Sequence, residues 1–157
     1  MTQEVVAIVR ISAPRRWMAV FMQALLGALV IFVAFDAPPA LPGQVFLLVL
    51  GAAALWLAQR TYFATSGHIE LTREGLRDSR GLSIAALAEI SRVERGTFAL
   101  KPSSGFTLHL KNKAPGQWMP GLWWRWHRRV GIGGAASGAD TKSMAQIIEA
   151  LMQEQNA

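Results

Sequence analysis

The residues best suited to catalysis are few in this chain, and their spacing does not favour it. Its 157 residues contain no cysteine and three histidines, His68, His109 and His127. No two of these histidines have the spacing of metal ligands. Thiolate nucleophiles, disulfides, iron–sulfur clusters and cysteine zinc sites are excluded outright. His68 and His109 are therefore interpreted as paired or exposed strand residues, and no metal site is predicted.

Two further patterns match catalytic or cofactor motifs only formally. Ser103 and Ser104 lie in a turn-rich stretch without the Gly-x-Ser-x-Gly context of a nucleophile elbow. Residues 131–136, Gly-Ile-Gly-Gly-Ala-Ala, have the spacing of a dinucleotide-binding motif. Such a site also needs a preceding buried strand, a helix starting within the motif, and an acidic residue about twenty positions later. We expect a flexible glycine loop instead, with no cofactor and no enzymatic activity.

The most informative cluster is rich in tryptophan and arginine. Four tryptophans and three arginines lie between residues 118 and 129. Tryptophan favours membrane interfaces, and arginine binds phosphate bidentately and stacks on aromatic rings. The cluster is predicted to contact the membrane or a protein partner; alternatively, Trp123, Trp124 and Trp126 pack in a core while the arginines are solvated. The predicted contact residues are Trp118, Trp123, Trp124, Arg125, Trp126, Arg128 and Arg129.

Two apolar runs indicate where the chain sits. Apolar residues make up 52% of the sequence and charged residues 17%, against about 25% charged in soluble proteins. Residues 17–35 and 41–58 carry no charge, and the first run, at about 28 Å, matches the hydrocarbon thickness of a bilayer. Neither run has the polar face of a soluble helix. We predict a transmembrane hairpin over 17–60, preceded by a cytoplasmic tail over 1–16.

The flanks and small residues of this hairpin predict its orientation and packing. Arginines precede the first helix and follow the second, whereas the connecting turn carries only Asp36, so both termini should face the cytoplasm. Small residues let helix backbones approach closely. These faces either meet each other or dock a separate membrane protein. They consist of Ala24, Gly27 and Ala28 on the first helix and Gly51, Ala54 and Ala58 on the second.

The remaining residues predict a small antiparallel domain closed by a helix. Alternating polar and apolar residues and turn signals indicate strands. Strands are predicted at 68–72, 76–80, 89–95, 97–100, 106–111 and 130–132, with about one helical turn in 83–88. A single apolar stripe with Asp140 or Thr141 as N-cap predicts the C-terminal helix. The stripe consists of Met144, Ile147, Ile148, Leu151 and Met152.

Two segments that follow the apolar hairpin, residues 69–76 (Ile-Glu-Leu-Thr-Arg-Glu-Gly-Leu) and 86–94 (Ala-Leu-Ala-Glu-Ile-Ser-Arg-Val-Glu), carry a family resemblance. The layout resembles the bacterial membrane-anchored pleckstrin-homology-like (PH-like) proteins. The resemblance implies an α+β chain: a two-helix transmembrane hairpin, then a PH-like open antiparallel β-barrel or sandwich over 66–155 with a C-terminal amphipathic helix. It implies no catalytic residues. Residues 118–129 depart from the family pattern and look like an insertion.

Together these features predict a non-enzymatic binding or scaffold module in the bacterial inner membrane. It would contact anionic membrane lipids or an integral membrane protein at the cytoplasmic leaflet. The alternative is an accessory subunit of a larger inner-membrane complex, such as a respiratory or photosynthetic assembly. Neither apolar run contains an ionisable residue, which argues against a transporter or channel. No nucleic acid and no small-molecule substrate are predicted.

Overall fold

The computed structural model describes residues 4–95 and 104–157, which form a helical hairpin joined to two antiparallel sheets. The elements are β1 Val5–Arg10, α1 Ala13–Asp36, α2 Leu41–Thr65, β2 His68–Thr72, β3 Gly75–Asp78, β4 Ser83–Ala86, β5 Ile90–Glu94, β6 Phe106–Met119, β7 Trp123–Ile132 and α3 Gly138–Asn156. One sheet has the order β1-β2-β3-β4 and the other β5-β6-β7. The predicted α+β class is confirmed, and the two sheets do not close into a barrel within the described residues.

Helices α1 and α2 are long and apolar enough, by length and composition, to cross a membrane. Only 11% of the most apolar window of each helix is buried within the chain, whereas the core helix of a soluble protein is mostly buried. The helices also extend beyond the apolar runs that predicted them, starting at Ala13 and ending at Thr65. Arg15, Arg16 and Arg60 continue the helices because charge does not end a helix; loss of backbone hydrogen bonding does.

The turn between the helices is fixed by one side chain. In an α-helix the carbonyl of Ala34 would accept a hydrogen bond from the N–H of residue 38, but Pro38 has no N–H. Gln44 supplies the missing donor, with its Nε2 3.1 Å from the Ala34 oxygen. The polar residue near the start of the second apolar run therefore closes the hairpin.

The small residues of the two helices meet each other. A Cβ on Gly51 would lie 2.4 Å from Cγ1 of Ile31 and 3.0 Å from the Gly27 oxygen, so the backbones are in direct contact here. Gly27, Gly51 and Ala58 are buried. Ala24 and Ala54 are half-buried, and Ala28 is exposed. The small-residue faces of α1 and α2 therefore pack against each other within the hairpin, as the first of the two interpretations predicts.

The N-terminal segment is a strand, so the prediction of a separate tail over 1–16 was wrong. Strand β1 pairs antiparallel with β2, with Val9 opposite Ile69 and Arg10 opposite His68. Val9 and Ile69 are both fully buried. The β-branched residues Val5, Val6, Ile8 and Val9 were the local signal from which the strand could have been predicted, whereas its partner β2 lies beyond the helical hairpin. The hairpin therefore occupies the position that a tight turn has in an ordinary β-hairpin.

The core lies between the sheets and α3. The helix buries Met144, Ala145 and Ile148 on the side that packs against the strands, which confirms the predicted stripe. The predicted N-caps were wrong: Ser137 occupies that position. The Thr141 hydroxyl instead donates to the Ser104 oxygen at 2.6 Å.

Three other predictions for the sheet-forming part differ from the structure or lie outside the described residues. Residues 83–86 form β4, which pairs with β3, and only 87–89 form a helical turn. Most of residues 118–129, which were interpreted as an insertion relative to the family pattern, belong to β6 and β7. The strand predicted at 97–100 lies outside the described residues. Local patterns missed the length of β6 because Pro115 and Gly116 interrupt it, and that of β7 because tryptophan and arginine interrupt its polar–apolar alternation.

The pairing of Arg10 with His68 predicts that the sheet can form without the hairpin. Replacing residues 12–66 by Asn-Gly, a favoured two-residue turn, should give a protein that is monomeric without detergent. Its circular dichroism spectrum should be typical of antiparallel β-sheet, and its unfolding should be cooperative. A matched fragment that starts at residue 67 lacks β1 and should be clearly less stable, since Val9 is removed from the core. This account of β1 would be contradicted if the protein with the Asn-Gly replacement were unfolded. It would also be contradicted if that protein and the fragment starting at residue 67 were equally stable.

Candidate functional site

Most of the predicted contact residues lie on a long ribbon formed by β6 and β7. Its turn packs against the end of α2: a Cβ on Gly121 would lie 3.0 Å from Cγ2 of Thr65. Arg80 joins the same region, donating to the Phe63 carbonyl and to the Met119 sulfur. Gly121 has a φ of +79°, which glycine adopts without strain. The turn of the ribbon is therefore held against the helical hairpin.

The far end of β7 returns to the same place. Gly133 donates to the Leu122 oxygen at 3.0 Å, and Ala135 donates to the Gly121 oxygen at 3.0 Å. Eleven residues of straight strand would span about 36 Å, so the ribbon must bend back on itself. The bend lies where the β6–β7 register is irregular, and His127 there has a φ of +52°.

This bend explains the glycine-rich motif at 131–136. A Cβ on Gly131 would lie 2.3 Å from the ring of Trp124, and one on Gly134 would lie 2.7 Å from the Gly121 oxygen. Gly133 is also buried. The space beside these glycines is therefore filled by protein. They serve close backbone packing, and the expected flexible loop is instead a packed one.

The tryptophans of the cluster divide into two groups. Trp123 is 1% exposed, and its indole N–H donates to Oδ2 of buried Asp78 at 3.3 Å. Trp124 is half-buried against Gly131. Trp118 and Trp126 are 49% and 67% exposed. Thus the core interpretation holds for Trp123, while Trp118 and Trp126 remain free for contact.

Arg125 forms a bridge between the two sheets. Its Nη1 donates to the carbonyls of Ser83 at 3.0 Å and Ile84 at 2.9 Å, both on β4. Its Nε donates to the Pro115 oxygen at 2.8 Å, and its Nη2 donates to Oε1 of Gln117 at 3.2 Å. The guanidinium is therefore committed within the domain and joins β4 to the ribbon. Sequence reasoning missed this role because β4 lies some forty positions earlier.

The remaining two arginines differ in their surroundings. Both Arg128 and Arg129 are exposed. Arg129 lies opposite His109 and near Glu94, whose carboxylate partly offsets its charge. Arg128 has no hydrogen bond or ion pair with the residues that the structure describes. We define the exposed patch as Trp118, Trp126, Arg128 and Arg129.

The strand histidines each pair with a carboxylate. His68 Nε2 lies 3.0 Å from Glu70, which also accepts from Nε of Arg77 at 2.7 Å. His109 Nε2 lies 2.6 Å from Glu94. The hydrogen bond from Arg77, then that from His68, lowers the pKa of Glu70, and the hydrogen bond with His109 lowers the pKa of Glu94. The interpretation of both histidines as paired strand residues is confirmed.

Neither cluster has the composition of a metal centre. Among the described residues, no group of three His, Asp or Glu side chains could hold a metal ion. Both carboxylates are satisfied by cationic or histidine partners within their own sheet. The position of His68 two residues before Glu70, on one strand face, was the signal from which the first pairing could have been found.

Comparison of the chain with protein-family models, with curated proteins and with solved structures gives no match. The function is therefore argued from the geometry of the chain alone.

Replacing Arg125 by alanine should destabilise the domain by about 2–4 kcal/mol, since several hydrogen bonds that join the sheets are lost. The measurement is denaturant unfolding of the detergent-solubilised full chain. Arg125→Lys should recover only part of the loss, because an ammonium lacks the planar fork of donors. Arg128→Ala is the matched control and should shift stability by less than about 0.5 kcal/mol. Equal losses of stability in Arg125→Ala and Arg128→Ala would refute the role of Arg125 in joining the two sheets.

The lowered pKa of Glu70 predicts an acid-dependent loss of stability. Its stabilising contribution is complete above the ordinary carboxyl pKa of 4.5 and is lost as the pH falls through the lower folded-state pKa. Unfolding measured at a series of pH values on both sides of 4.5 should show a weaker acid dependence for Glu70→Gln than for the parent chain. Glu154→Gln, at an exposed position on α3, should behave as the parent. If the stability of Glu70→Gln depended on pH as strongly as that of the parent chain, the stabilising role of the Glu70 carboxylate would be contradicted.

Proposed function

We propose that the chain is a non-enzymatic adaptor, held at the cytoplasmic face of a bacterial inner membrane by the α1–α2 hairpin. The exposed patch would bind an acidic surface, in the first instance anionic lipid headgroups. The observation that carries the proposal is the presence, two positions apart, of Trp126, which is 67% exposed, and of Arg128, which is exposed and has no hydrogen bond or ion pair within the described residues. Large exposed aromatic residues are uncommon on a folded surface and often mark an interface.

The anchoring part of the proposal is supported by a collar of aromatic and basic residues at one end of the hairpin. Trp17 and Tyr62 have ring centroids 5.5 Å apart, and the Arg16 guanidinium lies 5.6 Å from the Tyr62 ring. Arg60 lies 5.5 Å from the Trp56 ring. Such residues favour the membrane–water interface. Their position on the side of the sheets, with Asp36 at the other end, supports a cytoplasmic domain.

A PH-like assignment is supported by the arrangement of the sheets and α3. β1 and β5 are edge strands of their two antiparallel sheets, and α3 contacts both strands. A C-terminal helix that contacts both edges supports the proposal of a helix plugging an open barrel. We therefore propose a PH-like domain whose first turn is replaced by the membrane hairpin.

The chemistry of the exposed patch favours an acidic ligand. Trp126 offers an apolar ring and an indole N–H, and Arg128 offers a guanidinium suited to phosphate or carboxylate. Trp118 lies on the same face of the ribbon as Trp124, its cross-strand partner, and close to the turn that packs against α2. The patch thus begins next to the proposed membrane collar and continues along the ribbon to its bend.

Hydrogen–deuterium exchange of the full chain in lipid nanodiscs tests this contact. Backbone amides of residues 124–130 should exchange more slowly in discs with anionic lipid than in zwitterionic discs. A basic residue near an anionic surface contributes about 1 kcal/mol, so Arg128→Glu should reduce the protection about fivefold or more. High salt should weaken the protection as well.

The matched control for this measurement is Arg73→Glu, which makes the same charge change at an exposed position outside the ribbon. It should leave the protection unchanged. Identical exchange in the two kinds of disc would exclude lipid as the ligand of the patch. Protection that appears only in native membranes, together with cross-links to a neighbour, would assign the patch to a protein partner.

The alternative, an accessory subunit of a larger complex, remains a prediction with a different test. Its first motivation was the small-residue faces, which pack against each other across Gly27 and Gly51. Gentle detergent extraction followed by native electrophoresis distinguishes it from the adaptor. Co-migration with a large complex would favour the subunit, and migration as a monomer would count against it.

A further inference from the structure

A groove lies where the start of α1 meets the loop that follows β7. It has a volume of about 500 Å³, within the range of roughly 300–1,000 Å³ common for small-ligand sites. The lining side chains are mainly apolar, and Arg15 stands at one end. The groove is lined by Arg15, Met18, Ala19, Met22, Ser104, Gly134, Ala135 and Ala136.

A second, more polar recess lies on the other side of Arg15. It has a volume of about 440 Å³ and is lined by Arg10, Ile11, Ser12, Arg15, Ser137 and Asp140. Arg15 is the residue that the two spaces share. We refer to these two spaces, an apolar groove and a polar recess that are both lined by Arg15, together as the cleft.

Arg15 is held in place and still has donors to offer. Its Nη1 donates to the Ala136 oxygen at 3.0 Å. Its Nε and Nη2 make no hydrogen bond with the described part of the chain. A guanidinium that keeps the N–H groups of both Nε and Nη2 available is suited to bidentate binding of a phosphate.

The apolar part of the cleft is continuous with the outer surface of the hairpin. Met18 and Met22 are 65% and 62% exposed, and methionine adapts readily to a flexible apolar ligand. Trp17, in the proposed interfacial collar, precedes Met18 directly. Met22 lies about 10 Å further along the helix than Arg15, so the groove runs from the headgroup level into the hydrocarbon.

We propose that this cleft binds one anionic phospholipid of the adjacent leaflet. The phosphodiester would lie on Arg15, an acyl chain along Met18 and Met22, and the headgroup in the polar recess. Two arginines against one aspartate give the recess a net positive charge, which favours an anionic headgroup. Ser12, Ser137 and Asp140 can accept hydrogen bonds from headgroup hydroxyls, so phosphatidylglycerol is the chosen probe. The inference rests on the proposed membrane anchoring and is separate from the exposed patch.

The test uses the full chain in mild detergent, with equimolar phosphatidylglycerol and phosphatidylethanolamine, and native mass spectrometry. The parent chain should retain one phosphatidylglycerol in preference to the zwitterionic lipid. Arg15→Gln keeps a donor for the Ala136 oxygen but removes the charge, and it should lower phosphatidylglycerol affinity about tenfold. Ala19→Phe should fill the groove and reduce retention of both lipids.

Two further variants serve as controls. Arg60→Gln removes the same charge at the corresponding end of α2, outside the cleft, and should retain lipid as the parent does. Arg15→Lys should recover part of the preference. Equal retention by the parent and by both Arg15→Gln and Ala19→Phe would overturn the proposal, as would equal retention of the two lipids by the parent.

Alkaline carbonate extraction of membranes distinguishes failure of the proposed lipid cleft from failure of the proposed membrane anchoring. If the parent chain stays with the membrane but its lipid retention does not depend on Arg15 or Ala19, the cleft is refuted and the anchor stands. If the chain is released as a soluble protein, the proposed anchor and the phospholipid site fail together.

Discussion

The antiparallel pairing of β1 with β2 is the interaction on which the rest of the structure depends. Both strands connect directly to the helical hairpin, so pairing Arg10 with His68 brings the two hairpin ends together beneath the sheet. Burial of Val9 and Ile69 stabilises this pairing. With both ends fixed, the ribbon turn can pack on Thr65 and Arg15 can reach Ala136. The helical hairpin and the sheets therefore share one framework, unlike two modules joined by a linker.

Within the ribbon, residues of the same type have different roles. Trp123 and Arg125 are on the strand face that points into the domain, where one packs in the core and the other bridges two sheets. Trp126 lies on the opposite face, and Arg128 follows it beyond the bend. Alternation along the strand and one positive φ at His127 separate structural residues from those available for contact. Composition alone left contact and core packing open as alternatives and did not separate the residues one by one.

The glycine-rich segment shows the same limit of motif reasoning. Gly131, Gly133 and Ala136 match the spacing of a dinucleotide-binding motif, and the physical requirement is similar, since both uses need close backbone approach. Here the approaching groups are the Trp124 ring and the Gly121 carbonyl. The loop packs the ribbon end beside the start of α1. Its neighbours Ala135 and Ala136 then become one wall of the proposed lipid cleft.

The sequence by itself determined the features that depend on local periodicity: the two apolar helices, the strand at 68–72 and the stripe of α3. In each of these, residues close together along the chain carry the pattern. Tertiary structure alone decided the strand identity of residues 5–10, the bend of the ribbon, the bridging role of Arg125 and the cleft around Arg15. Each of these joins residues far apart in the chain, and no local pattern records which distant carbonyl or strand edge a residue will meet.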